Sequence, residues 1–160
     1  MEQRQRRIFK LCCLAVVLLS VWTMAQEARV GILVHDVAPL FGANKIEGGF
    51  DLNGEIIMGL GLVRPMVGIS VNSRGQTSCA YCGLAFVYNT SHSFVSVGVG
   101  GAAQVNAIRN LGSTVLFRLS LEVGYKRFSV LLAHLSNGAG FFWWDIPNAG
   151  VDTLGIRYAF

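Results

Sequence analysis

The chain has 160 residues, which is the length of one ordinary domain. Charged residues are only 14% of the sequence and hydrophobic residues are 52%, with 19 glycines but only 3 prolines. Soluble domains carry roughly 25% charged residues, so this composition excludes a disordered chain, a coiled coil and a typical soluble α/β enzyme. It suits a chain that contacts lipid, or an unusually apolar β protein.

The net charge of +4 is concentrated near the N-terminus. Residues 1–25 contain four basic residues and one acidic residue, whereas residues 26–160 contain nine basic and eight acidic residues. Most of the chain is therefore nearly neutral and lacks the basic surface that a nucleic acid partner requires.

The first 25 residues are typical of a secretory signal peptide. A basic segment that ends at Lys10 precedes an apolar run over residues 11–22, and small residues around Ala25 suit signal peptidase. This run is shorter than the roughly twenty residues of a membrane-spanning helix, which favours cleavage over an uncleaved anchor. We predict cleavage after Ala25, which divides the chain into a signal peptide (1–25) and a mature domain (26–160).

The mature domain is apolar, yet no segment has the roughly eighteen consecutive apolar residues that indicate a membrane-spanning helix. A closed β-barrel resolves this conflict, because its backbone groups are all paired and its strands show only alternation of apolar and polar residues. Alternation of this kind occurs in eight segments, residues 29–35, 50–58, 66–72, 80–89, 94–103, 114–126, 128–137 and 152–160. The sequence therefore predicts an all-β fold, an eight-stranded antiparallel transmembrane β-barrel.

The faces of these strands predict what points toward lipid. In the sixth segment six apolar side chains share one face, while Arg118 and Glu122 lie on the other, which only Leu116 interrupts. We expect the apolar faces outside and Arg118, Glu122 and Arg157 inside, because an arginine facing lipid at the midplane costs about 2–4 kcal/mol. Phe94 falls on the polar face of the fifth segment and breaks the pattern. Eight strands enclose an interior that side chains fill, so no pore is expected.

The connections support a barrel with both chain ends on the periplasmic side, because turns on that side are short and the opposite loops are long. Residues 59–65, 90–93 and 127 are the short connections, residues 73–79 are intermediate, and residues 36–49, 104–113 and 138–151 are the long ones. The chain also ends in an aromatic residue, Phe160, which is typical of the last strand of bacterial outer-membrane barrels.

Two histidines and a cysteine pair give weaker signals. His35 and His92 have no nearby partner set, so we expect them in loops or at the membrane interface. Cys79 and Cys82 form a C-x-x-C sequence, but residues three apart on a strand point to opposite faces. Neither a disulfide nor a metal clamp is therefore predicted for this pair.

A third histidine belongs to a more specific pattern. His134 and Ser136 are two residues apart on the seventh predicted strand, so they share a face that is otherwise apolar. Asp152 lies on the outward face of the eighth strand, at the matching end of the last hairpin. A hydroxyl, an imidazole and a carboxylate are the components of an acyl-transfer triad. The H-x-S-N sequence alone is short enough to occur by chance, and the shared face and the carboxylate give it weight.

The sequence resembles the bacterial lipid A 3-O-deacylase family, the PagL-type acyl hydrolases of the outer membrane. The resemblance spans the mature chain, and its most specific parts are the H-x-S-N sequence and the P-N-x-G-x-acid sequence that follows. The stretches that carry it, in order, are residues 35–37, 49–53 with 55, 134–137, 147–152 and 155–158.

The resemblance implies that Ser136 is the nucleophile, that His134 is its base and that an acid orients the histidine. That acid falls on Asp152, where the family has a glutamate. By the same resemblance, the loop before it is longer than in the family, so Asp145 is a rival for the third position. An aromatic run at residues 141–144 in this loop is expected to lie at the membrane interface.

The resemblance further implies an oxyanion hole formed by Asn137 and a backbone N–H of Gly138 or Gly140. It implies an esterase of the bacterial outer membrane that acts on lipid A of lipopolysaccharide without a cofactor or a metal. A homodimer is compatible with the sequence. The alternative is a non-enzymatic structural or adhesive barrel whose triad is decayed or coincidental.

Overall fold

Eight antiparallel strands form a closed barrel in the computed structural model of the chain. The structure describes residues 25–37, 46–59, 61–108, 111–138 and 150–160. Each strand pairs with its neighbours in sequence, and β1 closes the barrel by pairing with β8. The strands are β1 (Ala25–His35), β2 (Phe50–Met58), β3 (Val63–Asn72), β4 (Ser78–Asn89), β5 (Ser93–Val105), β6 (Val115–Tyr125), β7 (Phe128–Ser136) and β8 (Val151–Ala159). The predicted fold is confirmed.

Within the described residues, no helix has the length and apolar character needed to cross a membrane.

Strands β1 and β3 begin well before the segments that the alternation indicates, at Ala25 rather than residue 29 and at Val63 rather than residue 66. The register of β1 against β2 shifts between Ala25 and Glu27, and such an irregularity interrupts the period of two on which the prediction depends. Strand β3 includes Pro65, but its pairing with β2 ends at Met66, so the missing N–H leaves no gap in that ladder. Residues 1–24 lie outside the described residues, so cleavage after Ala25 stays a prediction.

The connections differ at the two ends of the barrel. The connections at residues 59–62, 90–92 and 126–127 are short and lie at the end of the barrel where β1 begins and β8 ends, which we call the terminal end. The opposite end, which we call the far end, carries the longer connections at residues 36–49, 106–114 and 137–150. This alternation of short and long connections agrees with the sequence prediction.

The outer surface of the barrel is apolar on all eight strands. Such a surface is stable against acyl chains rather than water, and it far exceeds the apolar patches of soluble monomers. Exposed examples, one from each strand in order, are Val30, Leu52, Ile69, Phe86, Val97, Leu119, Val130 and Ile156.

The interior contains a network of paired charges. Arg118, Glu122 and Arg157 are all buried, as predicted, and Arg157 is only 1% exposed. Its Nη2 atom donates to Oε1 of Glu55 at 2.8 Å, and its Nη1 atom lies 3.6 Å from Oε2 of Glu122. Glu122 also pairs with Arg29. Because each of these charges has a partner of opposite sign, the barrel can enclose them without leaving any of them isolated.

Phe94 interrupts the predicted pattern because the interior has space for its ring. The side chain is buried inside the barrel, and the Arg29 guanidinium lies 4.4 Å from the ring centroid. Gly124 lies directly opposite on β6, and a β-carbon at that position would overlap the ring. The glycine on one strand therefore admits the aromatic residue on the next.

Replacing Arg157 with methionine should destabilise the barrel by about 3–5 kcal/mol, because Glu55 and Glu122 would lose a buried cationic partner. Methionine retains much of the volume, so the loss would report charge pairing rather than a cavity. Arg127→Met is the matched control, since Arg127 is exposed and its guanidinium donates to the Tyr158 hydroxyl on the surface. Urea unfolding in detergent micelles measures both variants. Equal unfolding midpoints for the two would contradict the prediction.

A polar cluster closes the far end of the barrel and corrects the prediction for His35. The His35 ring is fully buried, with Nδ1 2.8 Å from Oδ1 of Asp51 and Nε2 2.9 Å from Oε2 of Glu47. Glu47 also accepts hydrogen bonds from the backbone and hydroxyl of Thr77 and from the Ile108 N–H. The cluster thus joins three connections at the far end, those at residues 36–49, 73–77 and 106–114. These partners lie on other strands and loops, so the neighbouring sequence of His35 gave no sign of them.

His92 lies in the turn between β4 and β5, as predicted. Its side chain is exposed, its Nδ1 atom is 2.9 Å from the Ser91 hydroxyl, and its ring stacks on Tyr125.

Candidate active site

The pairing of β7 with β8 places His134 directly opposite Asp152. The Nδ1 atom of the imidazole lies 2.7 Å from Oδ1 of the carboxylate, within hydrogen-bond distance. Their side chains are 17% and 2% exposed, so the pair is largely shielded from solvent. A carboxylate that accepts a hydrogen bond from Nδ1–H fixes the tautomer and leaves Nε2 as the basic nitrogen.

Ser136 is the last residue of β7 and lies two positions beyond His134, so both belong to the outward-facing set of that strand. Its partner on β6 is Phe117, whose ring is exposed. Ser136 itself is only 7% exposed. Among the hydrogen bonds between described residues, none joins Ser136 to His134, and such contacts often tighten only when substrate binds. The structure therefore gathers the three predicted groups at the far end of the last hairpin.

The connection that follows β1 is hydrogen-bonded to the backbone of Asp152, the carboxylate residue of the site. The Val37 N–H donates to the backbone oxygen of Asp152 at 3.2 Å. Asp36 adopts a left-handed φ of 53°, and its Oδ2 atom accepts hydrogen bonds from the backbone N–H groups of Ile46 and Glu47. Aspartate tolerates this backbone conformation better than most residues. Through the hydrogen bond of Val37, these two residues thus hold the start of β8 in place.

Two of the predicted oxyanion residues can be located. Asn137 and Gly138 follow β7 directly and are both buried. Gly138 has a φ of 72°, a conformation that glycine adopts at little cost, and the chain turns there immediately after Ser136. Turns of this kind can direct backbone N–H groups toward an anionic oxygen. Gly140, Asp145 and the aromatic run at residues 141–144 lie outside the described residues.

The two cysteines occupy opposite faces of β4, as predicted. Cys79 lines a small cavity inside the barrel, and Cys82 is exposed on the outer wall. Both are free thiols. In the part of the chain that the structure describes, no group of three or more histidine, cysteine, aspartate or glutamate side chains is arranged to hold a metal ion.

Gly150 was part of a sequence motif but had no assigned role, and the structure places it at the site. It directly precedes β8, two residues before Asp152, and lies against the ring of His134. The only sequence signal was a glycine at a fixed distance before the acid. Its contact with the imidazole depends on how the two strands meet, which the sequence motif does not specify.

The chain is similar to a known protein family and to a solved structure. The family model described as lipid A 3-O-deacylase (PagL) matches residues 54–160, which is more than half of the chain and includes the whole candidate site. A solved structure described as the crystal structure of the outer membrane enzyme PagL is similar, with a TM-score of 0.52 and 14% sequence identity. The similarity covers 83% of this chain and 97% of that chain. No curated protein matches the chain. The extent of the family match shows that the chain belongs to the lipid A 3-O-deacylase (PagL) family.

Proposed function

We propose that this protein is an outer-membrane esterase that hydrolyses the ester-linked acyl chain at the 3-position of lipid A. The observation that carries the proposal is the 2.7 Å contact between His134 and Asp152, with Ser136 beside it on the same strand face. The family match supports the substrate. The exposed apolar wall around the site supports a lipid substrate over a soluble one.

The proposed chemistry follows from the roles of the three groups. As the Ser136 hydroxyl oxygen attacks the ester carbonyl, Nε2 of His134 takes its proton, and Asp152 stabilises the imidazolium that forms. Asn137 and a backbone N–H at Gly138 or Gly140 would stabilise the oxyanion, and each such donor contributes about 3 kcal/mol in related enzymes. His134 then returns the proton to the sugar oxygen as it leaves. Water hydrolyses the acyl-serine by the same route and releases the fatty acid.

The proposed position of the substrate is along the outside of the barrel. With the chain termini in the periplasm, the far end lies at the level of the outer leaflet, where lipid A resides. The acyl chain would lie against the apolar wall near Phe117, which is exposed beside Ser136. Cleavage of the signal peptide after Ala25 would precede insertion into the outer membrane. A homodimer is compatible with this arrangement, and the mass of the detergent-solubilised protein tests it.

Incubating the purified protein with lipopolysaccharide in mixed micelles tests the proposal. We expect mass spectrometry of the lipid A to show loss of the ester-linked 3-position acyl chain and release of the matching free fatty acid. Added EDTA should leave the rate of hydrolysis unchanged, because a serine–histidine–aspartate mechanism uses no metal. Unaltered lipid A after prolonged incubation of the folded protein would instead favour a structural or adhesive barrel.

A further inference from the structure

Gly150 lies in van der Waals contact with the imidazole of His134. A β-carbon placed on Gly150 would be 3.0 Å from Nε2 and 3.2 Å from Nδ1 of that ring, and closer still to Cε1. Three ring atoms are therefore crowded at once, with the closest approach at the Cε1 corner of the ring. Real β-carbons essentially never approach other atoms as closely as this one would approach Cε1.

The requirement for glycine at position 150 comes from the histidine and not from the backbone. Its φ is outside the left-handed range, so an alanine could adopt the same backbone conformation. All three crowded atoms belong to a side chain that can turn away. By contrast, a β-carbon on Gly155 of the same hairpin would collide with the backbone of Ile32 and Leu33 on β1, which cannot move without disrupting the barrel.

We propose that Gly150 is a positioning residue, and that its missing β-carbon lets the His134 ring lie where Nδ1 meets Asp152 and Nε2 can serve Ser136. This inference rests on the proposed function. A methyl group at position 150 would rotate the ring away and break the 2.7 Å contact with Asp152. The base would then be misplaced by an ångström or more, while the strands and their pairing would remain intact.

Three alanine variants separate these effects. Gly150→Ala should lower kcat about 100-fold with KM nearly unchanged, since a misplacement of about 1 Å at the reacting groups costs that much. It should also remove the downfield proton signal of the Nδ1–H···Asp152 hydrogen bond in NMR spectra recorded in micelles. Gly54→Ala, on the outer wall of β2 with only one ordinary contact at 4.0 Å, should change neither measurement. Gly155→Ala should lower stability instead.

Each outcome decides the inference. The loss expected from an ångström of displacement is about a hundredfold. Activity of Gly150→Ala within about threefold of wild type would therefore overturn the inference. An unchanged Nδ1 proton signal would also overturn it. Unfolding comparable to that of Gly155→Ala would make Gly150 a structural residue and would equally overturn it. If the wild-type protein does not hydrolyse lipid A, the proposed function fails, but the NMR comparison still decides whether Gly150 holds the ring.

Discussion

Ser136→Ala should eliminate release of the 3-position acyl chain, with a fall in kcat of about 10⁶, the loss that follows removal of the nucleophile in a serine hydrolase. The physical reason is that Ser136 carries the only hydroxyl group on the outward face of β7, and the proposed acyl intermediate forms on that hydroxyl. The substitution deletes one hydroxyl at the end of β7, where Ser136 makes no hydrogen bond to His134, so folding should be unaffected. Quantifying the free fatty acid by mass spectrometry over time measures the effect.

His134→Ala should cause a loss of similar size, and combining it with Ser136→Ala should add little, because residues that act as one unit are not additive. Ser93→Ala is the matched serine control, since Ser93 is exposed at the start of β5 at the terminal end of the barrel. Deacylation by Ser136→Ala at the wild-type rate would show that the nucleophile has been wrongly assigned. Additive losses in the double variant would show that the two groups act separately.

The second large effect is expected from Asp152→Asn, which should lower kcat about 10⁴-fold. The amide has nearly the shape of the carboxylate, but its NH₂ group would favour the tautomer of His134 with the proton on Nε2. That tautomer cannot accept the Ser136 proton. Asp152 is fully buried, but the substitution is almost isosteric, so the barrel should remain folded. Initial rates with lipopolysaccharide, together with heat-modifiable migration on gels, measure activity and folding in parallel.

Asp145→Asn is the control that decides between the two carboxylates. It should leave activity near wild type, and Asp152→Glu should retain part of the activity because the family has glutamate at this position. A large loss of activity in Asp145→Asn, with little loss in Asp152→Asn, would show that the loop residue Asp145 is the acid of the triad. The 2.7 Å contact of Asp152 with His134 is the reason for expecting the opposite.

Much of the fold was predictable because a strand in a barrel has a period of two and its two faces meet very different surroundings. The alternation located all eight strands and placed Arg118, Glu122 and Arg157 inside. It failed where a local irregularity changed the period, at the start of β1, and where an interior cavity accepted a large ring, at Phe94. Both failures depend on a neighbouring strand, which a pattern within one segment cannot represent.

The candidate site was predictable to the extent that its residues lie on one hairpin. The short spacing between His134 and Ser136 fixes their common face, and the hairpin brings Asp152 to the matching end. The surroundings of these residues were not predictable. His35 finds its partners at Asp51 and Glu47 through the three-dimensional closure of the far end, and Gly150 meets the imidazole only once the strands are paired.

The pairing of interior charges with an apolar exterior has a consequence for how such a chain is exported. Charged or polar side chains such as Arg29, Asn53 and Ser96 recur along the strands, so none of the eight strands forms the long unbroken apolar run that a membrane-spanning helix needs. The apolar surface exists only after the strands pair and the charges turn inward. If the protein is located in the outer membrane, as proposed, the same alternation that forms its lipid-facing wall would also let the unfolded chain cross the inner membrane before it inserts.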